Sequence, residues 1–459
     1  MRLSHTKSFL LLIFLWGGTN SPQGFFSRGS GQESPPAPVK SLPLRDSASA
    51  ALKQFQALKF GLFIHWGLYA QLGGTWKGKQ IPPKRPYAEQ IDLTFRIPNR
   101  EYGQTAASFQ ASRFDAASWV SQAKQAGVKY LVFTAKHQDG FAMFGSTYGP
   151  YNVVHATPFG RDPLLALARQ CHAQGVKLGI YYSDARDYHE AGANWNTYGN
   201  TWDFPAQTQE DFARYFYGKV FHQVRELLTR YGKVSVMWFD VPYKITPAMS
   251  RDLRELVRSL QPQCLVNSRI GHDYGDYLSL SDNAIPAEPI ADPWETCMTM
   301  NDSWGYCAHD HHFKSPRQLI IHLVEVASKG GNFLLNVGPD GNGAFPPESR
   351  QILHEMGVWL AKNGESIYGT AAAAARQMPE GWYCTAKGNH LYFQITRWTP
   401  GRITLTGIRR QVEQARFLSD GAPVQFSQRG EQLTVILPKQ SVDQYCSVLQ
   451  LRLRTEESL

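Results

Sequence analysis

A series of short apolar segments that alternate with helical segments constrains the fold of this chain more than any other feature. Helical segments lie between several of the apolar ones, at 115–127, 162–175, 209–232 and 316–331, and end in glycine, which commonly terminates helices. Segments that are apolar throughout are typical of strands in parallel sheets covered by helices. Seven segments have this character, namely FGLFIHW (60–66), YLVFTA (130–135), KLGIYYS (177–183), VSVMWFD (234–240), CLVNSR (264–269), WETCMT (294–299) and NFLLNVG (332–338).

The repeated unit predicts an α/β fold in which the strands form a (β/α)8-like, TIM-type barrel over residues 51–369. A nucleotide-binding fold is disfavoured, because neither GxGxxG nor GxxxxGK[ST] follows the first strand. The pattern changes near residue 370, where WYCTAKGNHLYFQITRW, GRITLTGI and EQLTVILP alternate apolar and polar residues between turns. We therefore expect a C-terminal antiparallel β-sandwich over residues 370–459.

The N-terminus carries the pattern of a secretory signal peptide. Residues 1–21, MRLSHTKSFLLLIFLWGGTNS, combine a basic start with an apolar run from Phe9 to Trp16, which is too short to span a bilayer. Residues 22–50 are rich in Ser, Pro and Gly and are predicted to be a linker. The sequence therefore predicts export to a secreted, periplasmic or lysosomal location, without stable membrane insertion.

The charge and cysteine content disfavour several other classes of protein. The net charge of +9 is spread along the chain without a basic run of five residues, which argues against nucleic-acid binding. Of the six cysteines, Cys297 with Cys307 and Cys384 with Cys446 can form disulfides or remain free thiols. The string HDHH (309–312) cannot place four adjacent side chains on one ion, so we do not expect it to bind a metal.

Polar or aromatic residues recur at the ends that we predict for the strands. They lie at 65–66, 136–139, 182–184, 238–240, 267–269 and 294–295. Because a parallel barrel carries its active site at the C-terminal ends of its strands, we expect these side chains to meet. A single such residue is more often a loop cap, so the repetition is what indicates a site.

The predicted site combines carboxylates with imidazoles and aromatic rings, which is what glycoside hydrolysis requires. Asp240 follows a strand that is buried enough to hold it rigidly. Glu295 follows Trp294, whose apolar face can raise the pKa of a neighbouring carboxyl, as a general acid needs. The alternative is structural: Asp240 caps the following loop and Glu295 pairs with an arginine.

The motifs resemble those of the α-L-fucosidases of glycoside hydrolase family 29. They occur in the order of that family and cover residues 50–370. The matching strings are KFGLFIHWGLY (59–69), YLVFTAKHQDGF (130–141), GIYYS (179–183), MWFD (237–240), NSR (267–269), WETCMTMNDSWGY (294–306) and KGGNFLLNVGPDGNG (329–343).

The resemblance implies a retaining mechanism through a covalent glycosyl-enzyme intermediate, without a metal or cofactor. Asp240 matches the nucleophile of the family, and Glu295 matches the acid/base of its WE motif. In a retaining enzyme these two carboxyl groups lie about 5–5.5 Å apart. The positions that match residues holding the fucose ring are His65, His137, Tyr182, Trp238 and Arg269.

Two positions depart from the family pattern. The motif KHH[DE]GF reads KHQDGF here, so that Gln138 replaces an imidazole. The family often has the pair EW shortly after the first strand, whereas this chain reads GGTWKGK there, so that Thr75 stands in place of the glutamate before Trp76. Gln138 and Trp76 remain predicted substrate-binding residues, whereas Lys136 and Asp139 are expected to brace the loop. The loss of one sugar contact can cost on the order of 1–3 kcal/mol, so these changes affect specificity more than reaction type.

The sequence thus predicts an exported retaining exo-glycosidase that removes terminal α-L-fucosyl residues from a fucosylated oligosaccharide or glycoconjugate. Two alternatives stay open. One is a relative that acts on another L-sugar, such as an α-L-galactoside, and the other is a glycan-binding relative without hydrolytic activity. No feature of the sequence indicates an oligomeric state.

Overall fold

The computed structural model describes residues 46–194, 199–373 and 375–455. The predicted signal peptide (1–21) and residues 22–45 of the predicted linker lie outside the described residues. The helix α1 (Asp46–Leu58) covers residues 46–50, so the linker prediction is wrong for these five positions.

Eight parallel strands form the central sheet. The first ten strands of the described chain are β1 (Phe60–Ile64), β2 (Thr75–Trp76), β3 (Lys79–Gln80), β4 (Tyr130–Lys136), β5 (Lys177–Ser183), β6 (Val236–Asp240), β7 (Leu265–Val266), β8 (Leu278–Ser279), β9 (Trp294–Thr299) and β10 (Asn332–Val337). All except the hairpin β2–β3 belong to one sheet, in the order β7-β6-β5-β4-β1-β10-β9-β8. A parallel bridge between Asn267 and Tyr277, in which the Ser268 amide donates to the Tyr277 carbonyl at 2.9 Å, joins β7 to β8. The predicted (β/α)8-like barrel is confirmed.

Helices cover the outside of the barrel. After α1 they are α2 (Tyr69–Leu72), α3 (Ile91–Phe95), α4 (Asn99–Gln104), α5 (Ala116–Gln125), α6 (Val153–Ala156), α7 (Pro163–Gln174), α8 (Gln209–Tyr215), α9 (Phe221–Arg230), α10 (Pro247–Leu260), α11 (Pro316–Ser328) and α12 (Pro347–Asn363). A π-helical turn, Phe216–Val220, joins α8 to α9. Short 3₁₀ turns occur at Ala88–Gln90, Thr105–Ser108, Ala191–Ala193, Ser268–Ile270 and Gly364–Ser366.

Side-chain caps explain where the predicted helices begin. Asp115 accepts hydrogen bonds from two amides of the first turn of α5, and Asp162 does the same for one amide of α7. Thr208 and Ser315 form capping boxes at α8 and α11. Each cap satisfies amides that a helix leaves unpaired at its first turn, which favours a helix start at these positions.

Alternation along the strands divides the core into two layers. Outward residues such as Leu62 and Phe133 pack under the helices, whereas inward residues such as Phe63 and Trp238 fill the barrel. Helix α1 closes the N-terminal end of the barrel, because its Phe55 ring lies 5.2 Å from the ring of Tyr130. The opposite end, where the strands finish, is therefore the end that can hold a site.

Antiparallel sheets follow the barrel. Their strands are β11 (Ala371–Ala372), β12 (Trp382–Lys387), β13 (His390–Ile395), β14 (Gly401–Thr406), β15 (Val412–Phe417), β16 (Gln425–Arg429), β17 (Gln432–Leu437) and β18 (Ser447–Leu453). A five-stranded sheet, β11-β12-β13-β18-β15, and a three-stranded sheet, β14-β17-β16, share one apolar core. The predicted sandwich is confirmed. It is attached to the barrel partly through Arg317, whose guanidinium donates to the carbonyls of Thr396, Gln444 and Tyr445.

All six cysteines are buried free thiols, so neither candidate pair forms a disulfide. Among the described residues, no helix combines the length and the apolar composition that a membrane crossing requires.

Candidate active site

A cavity opens at the C-terminal ends of the barrel strands. It is lined by Phe63, His65, Glu89, Gln90, His137, Gln138, Tyr181, Arg186, Trp238, Asp240, Val241, Arg269, Asp282, Cys297 and Trp304. Six of the nine predicted site residues are in this set: Asp240, His65, His137, Gln138, Trp238 and Arg269. Their convergence confirms that the strand ends build one pocket.

Asp240 is held in this cavity by one charged and one neutral donor. It is the last residue of β6, and its Oδ1 accepts a hydrogen bond from Arg269 at 2.9 Å while its Oδ2 accepts one from the Tyr181 hydroxyl at 2.8 Å. The next residue, Val241, has a φ of 56°, which a β-branched residue rarely adopts. This sharp turn ends the strand at the carboxylate and leaves its side chain at the cavity wall.

Two neutral imidazoles stand beside Asp240. His65 follows β1, and its Nδ1 lies 2.6 Å from Oδ1 of Asn336. Burial lowers the pKa of His65 to about 4, and burial together with the proximity of His65 lowers the pKa of His137 well below its ordinary value. The ring of His137 stacks on Tyr181 at 5.3 Å, and its Nδ1 has no partner among the described residues. Both rings can therefore exchange hydrogen bonds with a ligand hydroxyl without carrying charge.

Gln138 enters the cavity with a fixed amide. Its Oε1 accepts a hydrogen bond from the hydroxyl of Tyr188 at 2.8 Å, and its backbone carbonyl accepts the Tyr188 amide at 2.7 Å. Because Tyr188 occupies the amide oxygen, the amide nitrogen is the group that Gln138 can present to a ligand. A glutamine at this position thus offers a donor where an imidazole offers a donor or an acceptor.

Lys136 and Asp139 of the KHQDGF segment brace the loop after β4, as predicted. Lys136 and Lys219 both pair with the fully buried Asp187, at 3.0 and 2.9 Å. Asp139 accepts hydrogen bonds from the Tyr102 hydroxyl and from the amide of Phe141, and burial raises its pKa to about 7. These contacts hold the loop after β4 in place.

Aromatic rings form the floor of the cavity. The indole of Trp238 stacks with Tyr181 at 5.6 Å and lies under the guanidinium of Arg269 at 4.8 Å. Phe63 packs on Trp238 at 5.1 Å, and Trp304 packs on His65 at 5.2 Å. Flat apolar rings with polar rims suit the face of a sugar ring.

Glu295 does not line the cavity, which contradicts its predicted position. The sequence places it at a strand end, whereas β9 begins at Trp294, so Glu295 is the second residue of its strand. Cys297 is the inward β9 residue that reaches the cavity, and it lies two residues, or about 7 Å, further along. The Glu295 side chain is fully buried, and its two oxygens accept hydrogen bonds from Tyr130 (2.6 Å) and from the Trp238 indole (2.8 Å). This carboxyl is not placed to protonate a group bound beside Asp240.

Two other carboxylates, Glu89 and Asp282, line the cavity and are absent from the sequence prediction. Asp282 accepts a hydrogen bond from Arg269 at 2.6 Å, and its side chain is 43% exposed. Glu89 is buried and accepts one from the amide of Gly305 at 2.9 Å. Burial raises the pKa of Glu89 to about 7, and the negative charge of Asp282 acts in the same direction.

The structure does not bring Tyr182 or Trp76 into the cavity. Tyr182 faces the helix layer, where its hydroxyl donates to Gln223 at 2.7 Å, and its neighbour Tyr181 takes the inward position. Trp76 lies in the hairpin β2–β3, with the ammonium of Lys77 5.4 Å from its ring. Neither Tyr182 nor Trp76 therefore lines the cavity that holds Asp240.

The HDHH string contributes a surface cluster. Ligand atoms of Asp302, Asp310 and His312 lie within 4.8 Å of one another, and the ring of His312 is 2.9 Å from the carboxylate of Asp302. The side chains of Asp302 and His312 are at least half exposed, and the ion pair between them accounts for the arrangement of this loop.

Arg269 holds the exposed carboxylate of Asp282 and the buried carboxylate of Asp240. Together with neutral imidazoles and aromatic rings at the C-terminal end of a barrel, they define the site of a glycoside hydrolase. A family model described as Alpha-L-fucosidase matches residues 38–365. The chain belongs to this family, glycoside hydrolase family 29.

Relatives and solved structures agree with this assignment. The chain is 29% identical to the plasma alpha-L-fucosidase of Rattus norvegicus, over 85% of this chain and 88% of that one. Its fold is similar to that of an alpha-L-fucosidase from Vibrio sp. strain EJY3, with a TM-score of 0.83, 33% identity and coverage of 89% and 73%. It is also similar to a GH29 alpha-L-fucosidase from Bacteroides thetaiotaomicron in a trapped covalent intermediate, with a TM-score of 0.81, 27% identity and coverage of 92% and 100%.

Proposed function

We propose that this protein is an exported, retaining exo-α-L-fucosidase that removes terminal α-L-fucosyl residues from glycans, with Asp240 as the nucleophile. The observation that carries the proposal is the contact set of Asp240. Its two oxygens are held by Arg269 and Tyr181 at the cavity wall, and the guanidinium of Arg269 lies 4.8 Å from the centre of the Trp238 ring. A carboxylate fixed in this way can attack the anomeric carbon without first reorganising its surroundings.

The proposed reaction has two steps. In the first, an oxygen of Asp240 bonds to the anomeric carbon, the glycosidic bond breaks, and an acid transfers its proton to the leaving oxygen. In the second step, the group that acted as the acid now acts as a base and removes a proton from water. The water oxygen bonds to the anomeric carbon, and the bond to Asp240 breaks. The trapped covalent intermediate described for the Bacteroides thetaiotaomicron relative supports this two-step route.

We assign the acid/base role to Asp282. It faces the same cavity as Asp240, and one guanidinium holds both carboxylates. Its exposure places it towards the opening, through which the leaving group must depart. Glu89 is less suited, because it is buried and engaged with Gly305.

Leaving-group dependence tests the assignment of Asp282. The Asp282→Ala variant should lose far more activity on a fucosylated oligosaccharide than on an activated aryl α-L-fucoside, because the aryl group needs little protonation. Added azide should accelerate the variant on the aryl substrate and give α-fucosyl azide. Glu89→Gln is the matched control, and azide should not accelerate it. Equal loss on both substrates without azide rescue would remove Asp282 from this role.

The assay that tests the overall function compares an aryl α-L-fucoside with the corresponding α-L-galactoside. We expect turnover of the fucoside, with α-L-fucose as the first product in a proton NMR time course. A first product of inverted configuration contradicts the retaining mechanism. Turnover of neither glycoside would favour the glycan-binding alternative.

A preference for the galactoside would favour the second candidate, an α-L-galactosidase. That candidate is supported by Gln138, which adds an amide donor to the cavity. The two sugars differ by a hydroxyl where fucose has a methyl group, so one added donor can shift the preference.

Export and substrate class complete the proposal. The signal-peptide pattern of residues 1–21 supports export, and so does similarity to a relative named as a plasma enzyme. The partner is a fucosylated oligosaccharide or glycoconjugate, whose terminal sugar enters the cavity.

A further inference from the structure

Glu295 is a buried acidic residue that has no role in the proposed reaction. It lies in the barrel interior below the cavity and is inaccessible to solvent. Both of its oxygens accept hydrogen bonds, one from the Tyr130 hydroxyl and one from the indole nitrogen of Trp238. When it is ionised, Glu295 accepts both hydrogen bonds, and when it is protonated, its second oxygen still accepts the indole N–H.

The indole of Trp238, which donates to Glu295, packs against Arg269 and Tyr181. Trp238 lies two residues before Asp240 on β6, and its Nε1 donates to Glu295 at 2.8 Å. The same ring lies 4.8 Å under the Arg269 guanidinium and stacks on Tyr181 at 5.6 Å, with 24° between the rings. Arg269 and Tyr181 are the two donors that hold the carboxylate of Asp240.

We propose that Glu295 is a positioning residue for the reaction at Asp240. By accepting the indole N–H it fixes the plane of Trp238, and this plane sets where Arg269 and Tyr181 present their donors. The proposal rests on Asp240 as the nucleophile, and Glu295 itself touches no substrate. An indole has a single N–H, so no second hydrogen bond holds this ring if Glu295 is lost.

Variants of Glu295 test the proposal through kcat and KM. Glu295→Ala should lower kcat on aryl α-L-fucosides by about 10- to 100-fold, since a small misplacement of reacting groups has an effect of this size. KM should change far less. The loss should be equal for good and poor leaving groups, and azide should not restore it. Glu295→Gln, which keeps an acceptor for the indole, should recover most of the lost rate.

Two further variants separate positioning from general damage to the fold. Tyr130→Phe removes the other hydrogen bond to Glu295 and leaves the indole contact intact, so its kcat should stay within about threefold of the native value. Trp238→Phe removes the indole N–H, and combining it with Glu295→Ala should cost little beyond the larger single loss. Thermal unfolding of each variant verifies that it is folded.

The titratable and charged groups around Glu295 are Tyr130, Tyr277, Arg269 and Cys297. Because several of them can titrate, a changed pH profile alone would not identify the role of Glu295. Losses that depend on the leaving group, with azide rescue, would make Glu295 an acid/base and overturn the positioning role. An unchanged kcat in folded Glu295→Ala would overturn it as well.

Failure of the proposed function has a different signature. The proposed function fails if the native enzyme does not hydrolyse the fucoside, and the nucleophile assignment fails if Asp240→Ala retains the native rate on it. Positioning is then read from the affinity for a cationic iminocyclitol, measured by calorimetry. This affinity should fall about tenfold in Glu295→Ala and remain unchanged in Tyr130→Phe. Equal affinity in all three proteins overturns the proposal.

Discussion

Asp240 and Glu295 are both carboxylates of the barrel interior, but they lie at opposite ends of their strands. Asp240 ends β6 and is held by an arginine and a phenol, whereas Glu295 is near the start of β9 and is held by a phenol and an indole. Asp240 lines the cavity, and Glu295 has no exposed surface. Burial raises the pKa of Glu295 to about 7, although its two donors act in the opposite direction.

This difference teaches that a buried carboxyl with a raised pKa is not by itself a general acid. Reactivity requires access to the substrate as well as a suitable pKa. On β9 these two properties belong to different residues: Glu295 has the raised pKa, whereas Cys297, two residues further along the strand, lines the cavity.

The largest expected effect is the loss of turnover when Asp240, the proposed nucleophile, is replaced. Asp240→Ala should reduce turnover of an aryl α-L-fucoside at least 10³-fold, because it removes the attacking oxygen. Binding of fucose, measured by calorimetry, should persist. Retention of even a tenth of the native rate, with the variant shown to be pure, would separate Asp240 from the chemistry.

Arg269→Lys should have the next largest effect, about a 10²-fold loss of kcat. A lysine cannot hold Asp240 and Asp282 at the same time, as the planar guanidinium does. Steady-state kinetics on the aryl fucoside measures the loss. Arg254→Lys is the matched control, since Arg254 pairs with Asp276, outside the lining of the cavity, and should retain full activity. Similar losses in both variants would indicate general destabilisation.

The third prediction concerns Glu295 and the pH dependence of the free energy of unfolding. The folded pKa of Glu295, about 7, is above its ordinary value of 4.5, so folding favours the protonated form. Its contribution to stability is therefore complete below about pH 4.5 and is lost as the pH rises through 7, which amounts to about 3 kcal/mol. Glu295→Gln cannot ionise, so it should be more stable relative to the native protein at pH 8 than at pH 5. Denaturant unfolding at both pH values measures this, and an equal difference at both would show that Glu295 does not titrate in this range.

The smallest effect concerns the departure from the family pattern. Gln138→His should raise the ratio of kcat/KM for the fucoside over the galactoside by about three- to tenfold, because the imidazole removes the amide donor that favours an extra hydroxyl. Gln351→His, on the exposed face of α12, is the control and should leave the ratio unchanged. A ratio that moves in the opposite direction would show that Gln138 serves fucose itself.

Much of the fold could be predicted because buried parallel strands are almost entirely apolar. The strand β8 was missed because its two residues, Leu278 and Ser279, are only partly buried and form no apolar run. The two tyrosines of GIYYS are chemically alike, so the sequence does not distinguish the inward Tyr181 from the outward Tyr182. The pairing of Tyr181 with Trp238 in neighbouring strands resolves this.

The errors in the site have a common physical origin. The pair Trp294–Glu295 is aromatic and polar, so the sequence predicts a strand end there, but β9 continues to Thr299. Glu89 and Asp282 come from a 3₁₀ turn and an irregular loop, where no periodic pattern marks them. The conformation of these loops places both carboxylates in the cavity with Asp240, and that conformation cannot be read from the residue types alone.

The most direct test of the central claim is covalent trapping with 2-fluoro-fucosyl fluoride, followed by digestion and mass spectrometry of the labelled peptide. Fluorine at C2 slows the second step, so the intermediate accumulates. We predict one label per chain, on the carboxylate of Asp240, and no label in Asp240→Ala. A label on Glu295 or Asp282 would contradict the account.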